Sequence, residues 1–441
     1  MIQSLLVANR GEIAVRIMRT CKELGIRTVA VYSEPDSTSL HVRMADTAVC
    51  IGPASAKDSY LNIPNIVTAA TLNGCNAVHP GVGFLAENAG FARTVIKAGL
   101  IFVGPDPDVI DLLGDKINAK HSAVSNGLPV IPGSKGPVRS AEEALAEARE
   151  IGFPVIIKAA AGGGGKGMRI VRDAAELPAA LGIAASEAKK AFSDDSVYLE
   201  KFIEEPRHVE IQLIADGFGT VVSLGERDCT VQKSHQKLLE ESPSPALSPE
   251  LRTRMAEDAI RLFRALGYSG AGTVEFLVKD DAHYFMEVNA RVQVEHPVSE
   301  LVSGVDIIEA QLRAASGERL PFSQAQLPLS GYALECRINA LGPGVVSRYD
   351  APGGRNVRVD SFLHSGCMVS PYYDALLAKI IVFARDRREG IARMLRALDE
   401  TVIEGVPTNL AMQRGIVGHE LFRSGRFGTG IYERLEKEIR A

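Results

Sequence analysis

Tyr284-Phe285-Met286-Glu287-Val288-Asn289-Ala290-Arg291-Val292-Gln293-Val294-Glu295-His296-Pro297 is the stretch on which the reading of this chain turns. From Glu287 to Glu295 the odd positions are Glu, Asn, Arg, Gln and Glu, and between them stand Val288, Ala290, Val292 and Val294. Extended backbone sends successive side chains to opposite faces, so one face is apolar and the other carries acids, amides and a guanidinium. Hard cations take carboxylate and amide oxygens while Arg grips an oxyanion, so that face can seat a divalent cation beside an anion. Glu287, Arg291 and Glu295 are also spaced i, i+4, and a helix with surface ion pairs is the competing reading. The valines and the period of two favour extended chain, although a run this long need not be one regular strand.

Glu275 extends the argument. It is the central acid of Ala271-Gly272-Thr273-Val274-Glu275-Phe276-Leu277-Val278, where burial without a partner would cost several kcal/mol, roughly. Pairing Glu275 with Glu287 and Asn289 across adjacent strands relieves that cost if Mg²⁺ sits between them, a metal that needs few carboxylates and completes its shell with phosphates. Upstream, the strand Pro154 to Lys158 runs into Gly162-Gly163-Gly164-Gly165-Lys166 and a return strand from Met168 to Val171. Consecutive glycines let backbone amides approach phosphate oxygens, and a lysine adds a point charge. A flexible loop beside an unrelated strand lysine is the plainer reading. No G-K-[ST] opens a helix, so this is not a Walker loop. The polar segment Glu226 to Lys237 follows a strand and by composition alone reads as a solvated loop.

Around these features the pattern is α/β. Ser4 to Ala8 reads as a buried strand, a helix follows to Gly25, and Thr28 to Tyr32 is a second strand, the order of a right-handed parallel crossover. A further helix and strand span Ile63 to Val78, and Leu100 to Val103 is another strand. A helix starts at Gly114-Asp115-Lys116. From Gly127 to Phe202 the pattern reads as two strands, the Gly-rich loop, a helix rich in Ala and Glu, and another strand, the size of a lid. Strands are expected at His208 to Ile214, Gly219 to Leu224, Gly272 to Val278 and from Tyr284 onward. Beyond Leu320 a β-rich stretch leads to amphipathic helices.

The chain has 441 residues, room for two or three domains. A formal charge of -5 gives no argument for nucleic acid or membrane partners. Six cysteines lack C-x-x-C spacing, which disfavours disulfide scaffolds and zinc sites. The apolar run at the N-terminus is too short for a signal peptide, and a cytoplasmic protein is expected.

Several segments together resemble biotin carboxylases: Ala8 to Ala14, His79 to Asn88, Gly114-Asp115-Lys116, the Gly162 loop, Glu226 to Lys237, Glu287 to Pro297, Glu335 to Ala340 and Pro371 to Asp374. The resemblance covers the whole chain in order. It implies an α/β and α+β multidomain protein: a Rossmann-like domain over 1–113, an ATP-grasp domain over 114–325 with a lid over about 131–203, and a C-terminal β-rich domain over 326–441. Position by position, it implies phosphate contacts from Lys116 and Lys158, with Gly164 and Gly165 closing over them. Glu200, Lys201, Phe202 and Ile203 would line the adenine pocket, with His208, Gln232 and His235 near the nucleotide. Glu275, Glu287 and Asn289 would bind Mg²⁺ or Mn²⁺, two ions being expected. Lys237, Arg291, Gln293 and Val294 would hold bicarbonate, Glu295 would be the general base, and Arg337 would face the ureido ring of biotin.

The implied activity is ATP-dependent carboxylation of biotin on a carrier protein, as in acetyl-CoA carboxylase and fatty acid synthesis. Carboxyltransferase subunits would be further partners, and a homodimer the assembly. None of the nine methionines precedes a lysine, so the carrier's Met-Lys attachment motif is absent and the chain resembles a separate subunit. The equivalent subunit of a propionyl-CoA or pyruvate-type carboxylase, another ATP-grasp ligase, and a catalytically weak regulatory paralogue are the alternatives. The last is motivated by three departures from the family pattern: Val82 where a tyrosine is usual, four glycines after Ala161, and a shortened segment after Asn339-Ala340.

Overall fold

Leu5, Leu6 and Val7 are fully enclosed, as a strand covered on both faces requires. In the computed structural model, which describes residues 1–134, 136–160, 168–192 and 194–440, their strand Ser4–Val7 lies at the centre of a five-stranded sheet. It pairs in parallel with Arg27–Ser33 and Ala77–His79, and Thr47–Gly52 and Ile101–Phe102 form the two edges. The helix Gly11–Glu23 makes the first crossover and packs Ile13, Ile17, Met18 and Cys21 against Leu5 and Val7. The edge strand Thr47–Gly52 was not legible in the sequence, because its half-exposed residues show no clean alternation.

A three-stranded antiparallel sheet of Arg169–Val171, Val155–Ala159 and Val197–Lys201 carries the helices Ala141–Ile151 and Leu177–Phe192 on a core of its own. Its first half differs from the expectation of two strands before the Gly-rich loop. Before that loop stand the strand Val155–Ala159 and the helix Ala141–Ile151, whose Ala, Glu and Leu are strong helix formers, with Ser140 accepting from the Glu143 N–H at the N-cap. Gly164 and Gly165 lie outside the described residues.

The third body is an eight-stranded sheet in the order Ala282–Asn289, Gly270–Lys279, Arg207–Ala215, Val221–Lys233, Gln236–Ser242, Tyr332–Asn339, Leu376–Ala384 and Val357–Ser361. Every neighbouring pair is antiparallel. Gln236–Ser242 pairs with Tyr332–Asn339, so the sheet runs unbroken across the stretch near residue 325. Among the described residues no helix is long and apolar enough to cross a membrane.

Two expectations about this sheet are corrected. The strand opened by Ala282 stops at Asn289, and the alternation through Glu295 continues without a regular strand beneath it. Glu87 Oε1 takes the Ala290 N–H at 3.0 Å, and the chain turns into the helix His296–Ser303 with Pro297 in its first turn. Conversely, Glu226 to Lys233 is no solvated loop. It continues the strand Val221–Lys233 past an irregularity between Ser223 and Glu226, with Glu226, Arg227, Asp228 and Thr230 buried. Ser234 and His235 then form a tight turn at φ 48° and 64°.

Candidate active site

Register places Glu287, Glu275, Glu210 and Arg227 directly opposite one another on four adjacent strands. Cross-strand neighbours on one face stand about 5 Å apart at Cβ, so three acids in such a row repel unless cations separate them. Lys237, near the start of the strand Gln236–Ser242, three strands along from that of Glu275, supplies the charge. Its Nζ donates to Glu210 Oε2 at 2.6 Å, Glu295 Oε1 at 2.7 Å, Glu275 Oε1 at 2.9 Å and Gln293 Oε1 at 3.1 Å. Arg227, wholly buried, grips Glu210 Oε1 at 2.6 Å. His208 Nε2 lies 2.6 Å from Glu275 Oε2, and Gln232 Nε2 2.8 Å from His208 Nδ1.

The second oxygen of Glu295 is 2.8 Å from Arg337 Nη2, and Arg337 Nε is 2.6 Å from Glu240 Oε1. Lys237, Glu295 and Arg337 thus meet although they come from two strands and a helix N-terminus. Burial would push the Glu275 and Glu295 carboxyls up, but Lys237 with His208 on the first, and Lys237 with Arg337 on the second, hold both below the ordinary range. Burial would lower the Lys237 ammonium; Glu210, Glu275 and Glu295 hold it well above its usual value. The site is therefore a dense, buried array of opposite charges held at hydrogen-bonding distance.

Residues 1–110 match the biotin carboxylase N-terminal domain, residues 115–323 the ATP-binding domain of the carbamoyl-phosphate synthase L chain, and residues 335–434 the biotin carboxylase C-terminal domain. Biotin carboxylase 1 of Bacillus subtilis is 52% identical over 98% of this chain and 98% of its own length. The chain belongs to the biotin carboxylase family. It is accordingly a ligase, and it has that family's fold of N-terminal, ATP-grasp and C-terminal parts. Two solved structures are similar throughout. The biotin carboxylase–β-γ-ATP complex from Campylobacter jejuni has a TM-score of 0.95 and 46% identity, covering 98% of this chain and 99% of that one. The biotin carboxylase domain dimer of Hydrogenobacter thermophilus 2-oxoglutarate carboxylase, with MgADP, ADP and bicarbonate, has a TM-score of 0.95 and 45% identity, covering 100% and 99%.

Against the positions the biotin carboxylase resemblance singled out, the structure is uneven. Arg291 stands at the rim, with Nε 2.9 Å from Glu87 Oε2 and Nη2 2.9 Å from Asn289 Oδ1. Gln293 Nε2 donates to Glu275 Oε1 and to Thr273 Oγ1, both at 2.8 Å. Lys158 Nζ is 2.6 Å from Glu200 Oε2, and Lys120 Nζ is 2.9 Å from Glu200 Oε1. Lys201 Nζ donates to the carbonyls of Gly152 and Phe153. Phe202 and Ile203 are half-buried on the following segment, and the Phe202 N–H bonds the Pro154 carbonyl. Lys116, at the start of the helix Lys116–Ser125, borders a cavity of ≈ 280 Å³ that Lys120, His121, Ser134 and Tyr198 also line. His235 is exposed at its hairpin tip and makes no side-chain hydrogen bond among the described residues.

The fit for a divalent cation rests on Glu287. Its carboxyl is raised by burial and then by Glu275 opposite, with Lys116 Nζ 3.7 Å away, so the spot carries negative charge that a hard cation would relieve. Glu275 and Asn289 adjoin it, but Glu275 Oε1 accepts from Lys237, Asn289 and Gln293, and Asn289 Oδ1 accepts from Arg291. Sequence reasoning did not assign Glu87, Lys120, Glu210, Arg227, Glu240 or Lys379. For Glu210 a signal existed: an acid between Val209 and Ile211 in a fully buried strand, the same cue that singled out Glu275.

Proposed function

We propose that this protein carboxylates biotin carried on a biotin carboxyl carrier protein, with ATP and bicarbonate, as a cytoplasmic homodimer serving carboxyltransferase subunits of an acetyl-CoA carboxylase. The observation that carries the reading is the Lys237 ammonium shared by Glu210, Glu275 and Glu295, with Arg337 on the other oxygen of Glu295. In this proposal bicarbonate takes the place of a carboxylate on Lys237 and is oriented by Arg291, Gln293 and Val294. Glu295, held as a weak base by Lys237 and Arg337, gains basicity as the incoming anion draws Lys237 away. It removes the bicarbonate proton; a bicarbonate oxygen attacks the γ-phosphorus, the bond to the bridging oxygen breaks, and ADP leaves.

Lys116 and Lys158 hold the phosphates, and the segment with Gly164 and Gly165 excludes water from the product, carboxyphosphate. Glu200, Lys201, Phe202 and Ile203 flank the base, with His208, Gln232 and His235 on the nucleotide side. Glu275, Glu287 and Asn289 would hold a Mg²⁺ or Mn²⁺, which would supply positive charge where two anions meet. Carboxyphosphate splits to CO₂ and phosphate, the phosphate takes the N1 proton of biotin, and N1 attacks CO₂. Arg337 uses Nε and Nη2 on Glu240 and Glu295, which leaves the Nη1 donors to stabilise the ureido enolate.

The test is transfer of radiolabelled bicarbonate to free biotin with ATP and Mg²⁺. Label in biotin that depends on ATP supports the reading; ATP hydrolysis indifferent to bicarbonate, with no label transferred, overturns it. The similarity to a 2-oxoglutarate carboxylase domain favours one second reading, in which the carboxylated carrier serves a 2-oxo acid. Carboxylation of the cognate carrier followed by transfer to acetyl-CoA or to 2-oxoglutarate separates the two.

A further inference from the structure

The loop that carries Val294 and Glu295 has little regular structure to hold it, since strand pairing stops at Asn289 and the helix begins at His296. Glu87 fixes its beginning through the Ala290 N–H and Arg291. Near its end, the carbonyl of Val294 accepts from Lys379 Nζ at 2.8 Å. Lys379 belongs to the strand Leu376–Ala384, opposite Arg337 in register, and none of its side chain is exposed. Its ammonium also lies 3.1 Å from Glu12 Oε2 and 3.8 Å from Asp360 Oδ2, both buried.

Two acids therefore compensate the charge from one side, while the backbone carbonyl of the loop is its third partner. A trans peptide points its C=O and the following N–H in opposite directions. Holding the Val294 carbonyl toward Lys379 turns the Glu295 N–H away from it and fixes the Cα from which Glu295 spans Lys237 and Arg337. A loop peptide flipped or displaced there would carry the Glu295 carboxylate out of its two-cation seat.

We propose that Lys379 is a positioning residue for the carboxylation reaction: by gripping the Val294 carbonyl it sets the loop that presents Val294 and Glu295 to bicarbonate. The inference rests on the function proposed above and adds a residue to it. Its own competitor is a purely structural ion pair with Glu12 and Asp360, and Glu12→Gln isolates that role, because it weakens the pair and leaves the bond to Val294 in place.

Bicarbonate-dependent ATP hydrolysis is measured for the wild type, Lys379→Met and Glu12→Gln, alongside the melting temperature and the KM for ATP. Both variants should melt lower than the wild type. Only Lys379→Met should lose kcat/KM for bicarbonate, by about 10- to 100-fold, the scale of a reacting group displaced by about an ångström, with the KM for ATP little changed. If Lys379→Met does not fold, the double variant Lys379→Met/Glu12→Gln, neutral on both sides of the pair, takes its place. A bicarbonate kcat/KM for either that equals that of Glu12→Gln overturns the positioning role. A wild type whose hydrolysis ignores bicarbonate instead overturns the proposed function.

Discussion

Replacing Lys237 with methionine removes the one ammonium that Glu210, Glu275 and Glu295 share at 2.6, 2.9 and 2.7 Å. Each acid keeps one other cationic partner: Arg227 on Glu210, His208 on Glu275 and Arg337 on Glu295. Arg337 also serves Glu240, so four acids then share three cations, and one negative charge is left without compensation in a place where Glu210 is wholly buried and Glu275 and Glu295 nearly so. Breaking one side of a buried ion cluster costs about 3–5 kcal/mol. The variant can lower that cost by binding a proton.

In the wild type, Glu275 and Glu295 sit below their ordinary values, so the stability they contribute is present above the unfolded carboxylate range and is lost as pH falls through their folded values. Without Lys237 burial dominates and these values rise. The deficit of Lys237→Met relative to the wild type should therefore be largest near neutrality and shrink toward about pH 5, by roughly 1.4 kcal/mol per pH unit for each proton taken up. Urea or thermal unfolding of both proteins between about pH 5 and pH 8 measures it. A deficit under about 1 kcal/mol, or one that does not change with pH, would refute the claim that Lys237 holds three carboxylates together. Nucleotide binding to the surviving fold should persist while bicarbonate-dependent hydrolysis disappears.

Glu295→Gln should leave ATP affinity nearly intact and lower bicarbonate-dependent turnover by about 10²- to 10⁴-fold, the usual contribution of a general base; steady-state kinetics at saturating ATP decide it. Arg337→Ala should spare slow ATP hydrolysis and abolish label transfer to biotin, and an equal fall in both activities would make Arg337 structural. The Glu240 carboxyl is pushed up to about 7 by burial against the pull of Arg337, so its share of stability is present at low pH and lost as pH rises through about 7. Melting temperatures measured from about pH 5 to 7 should therefore fall less steeply with pH in Glu240→Gln than in the wild type.

The parallel sheet at the N-terminus was legible because both-face burial writes near-continuous apolar runs such as Leu5-Leu6-Val7. Glu275 was legible as well, since an acid in an apolar strand demands a partner. The lid region was read less well: two strands were expected before the Gly-rich loop, and the helix Ala141–Ile151 stands there beside the strand Val155–Ala159. Polarity misled in the segment after Leu224, where Glu226, Arg227 and Asp228 are buried because each meets an opposite charge or a donor, and composition cannot distinguish that from solvation. After Asn289 the period-two pattern persists in the sequence while the backbone has already left the sheet, so alternation alone did not locate the strand's end.

The sequence by itself determined the central strands and first helix of the N-terminal parallel sheet, the family, and the acids that burial would make conspicuous. Only the folded chain decided which cation serves which acid: that Lys237 sits between Glu210, Glu275 and Glu295, that Arg337 prefers Glu240 and Glu295 to Glu335, and that Lys379 reaches Val294. Local propensity acts over a few residues, whereas these partners lie 27 to 97 residues apart and meet through sheet register, in which a shift of one residue would turn every side chain to the other face.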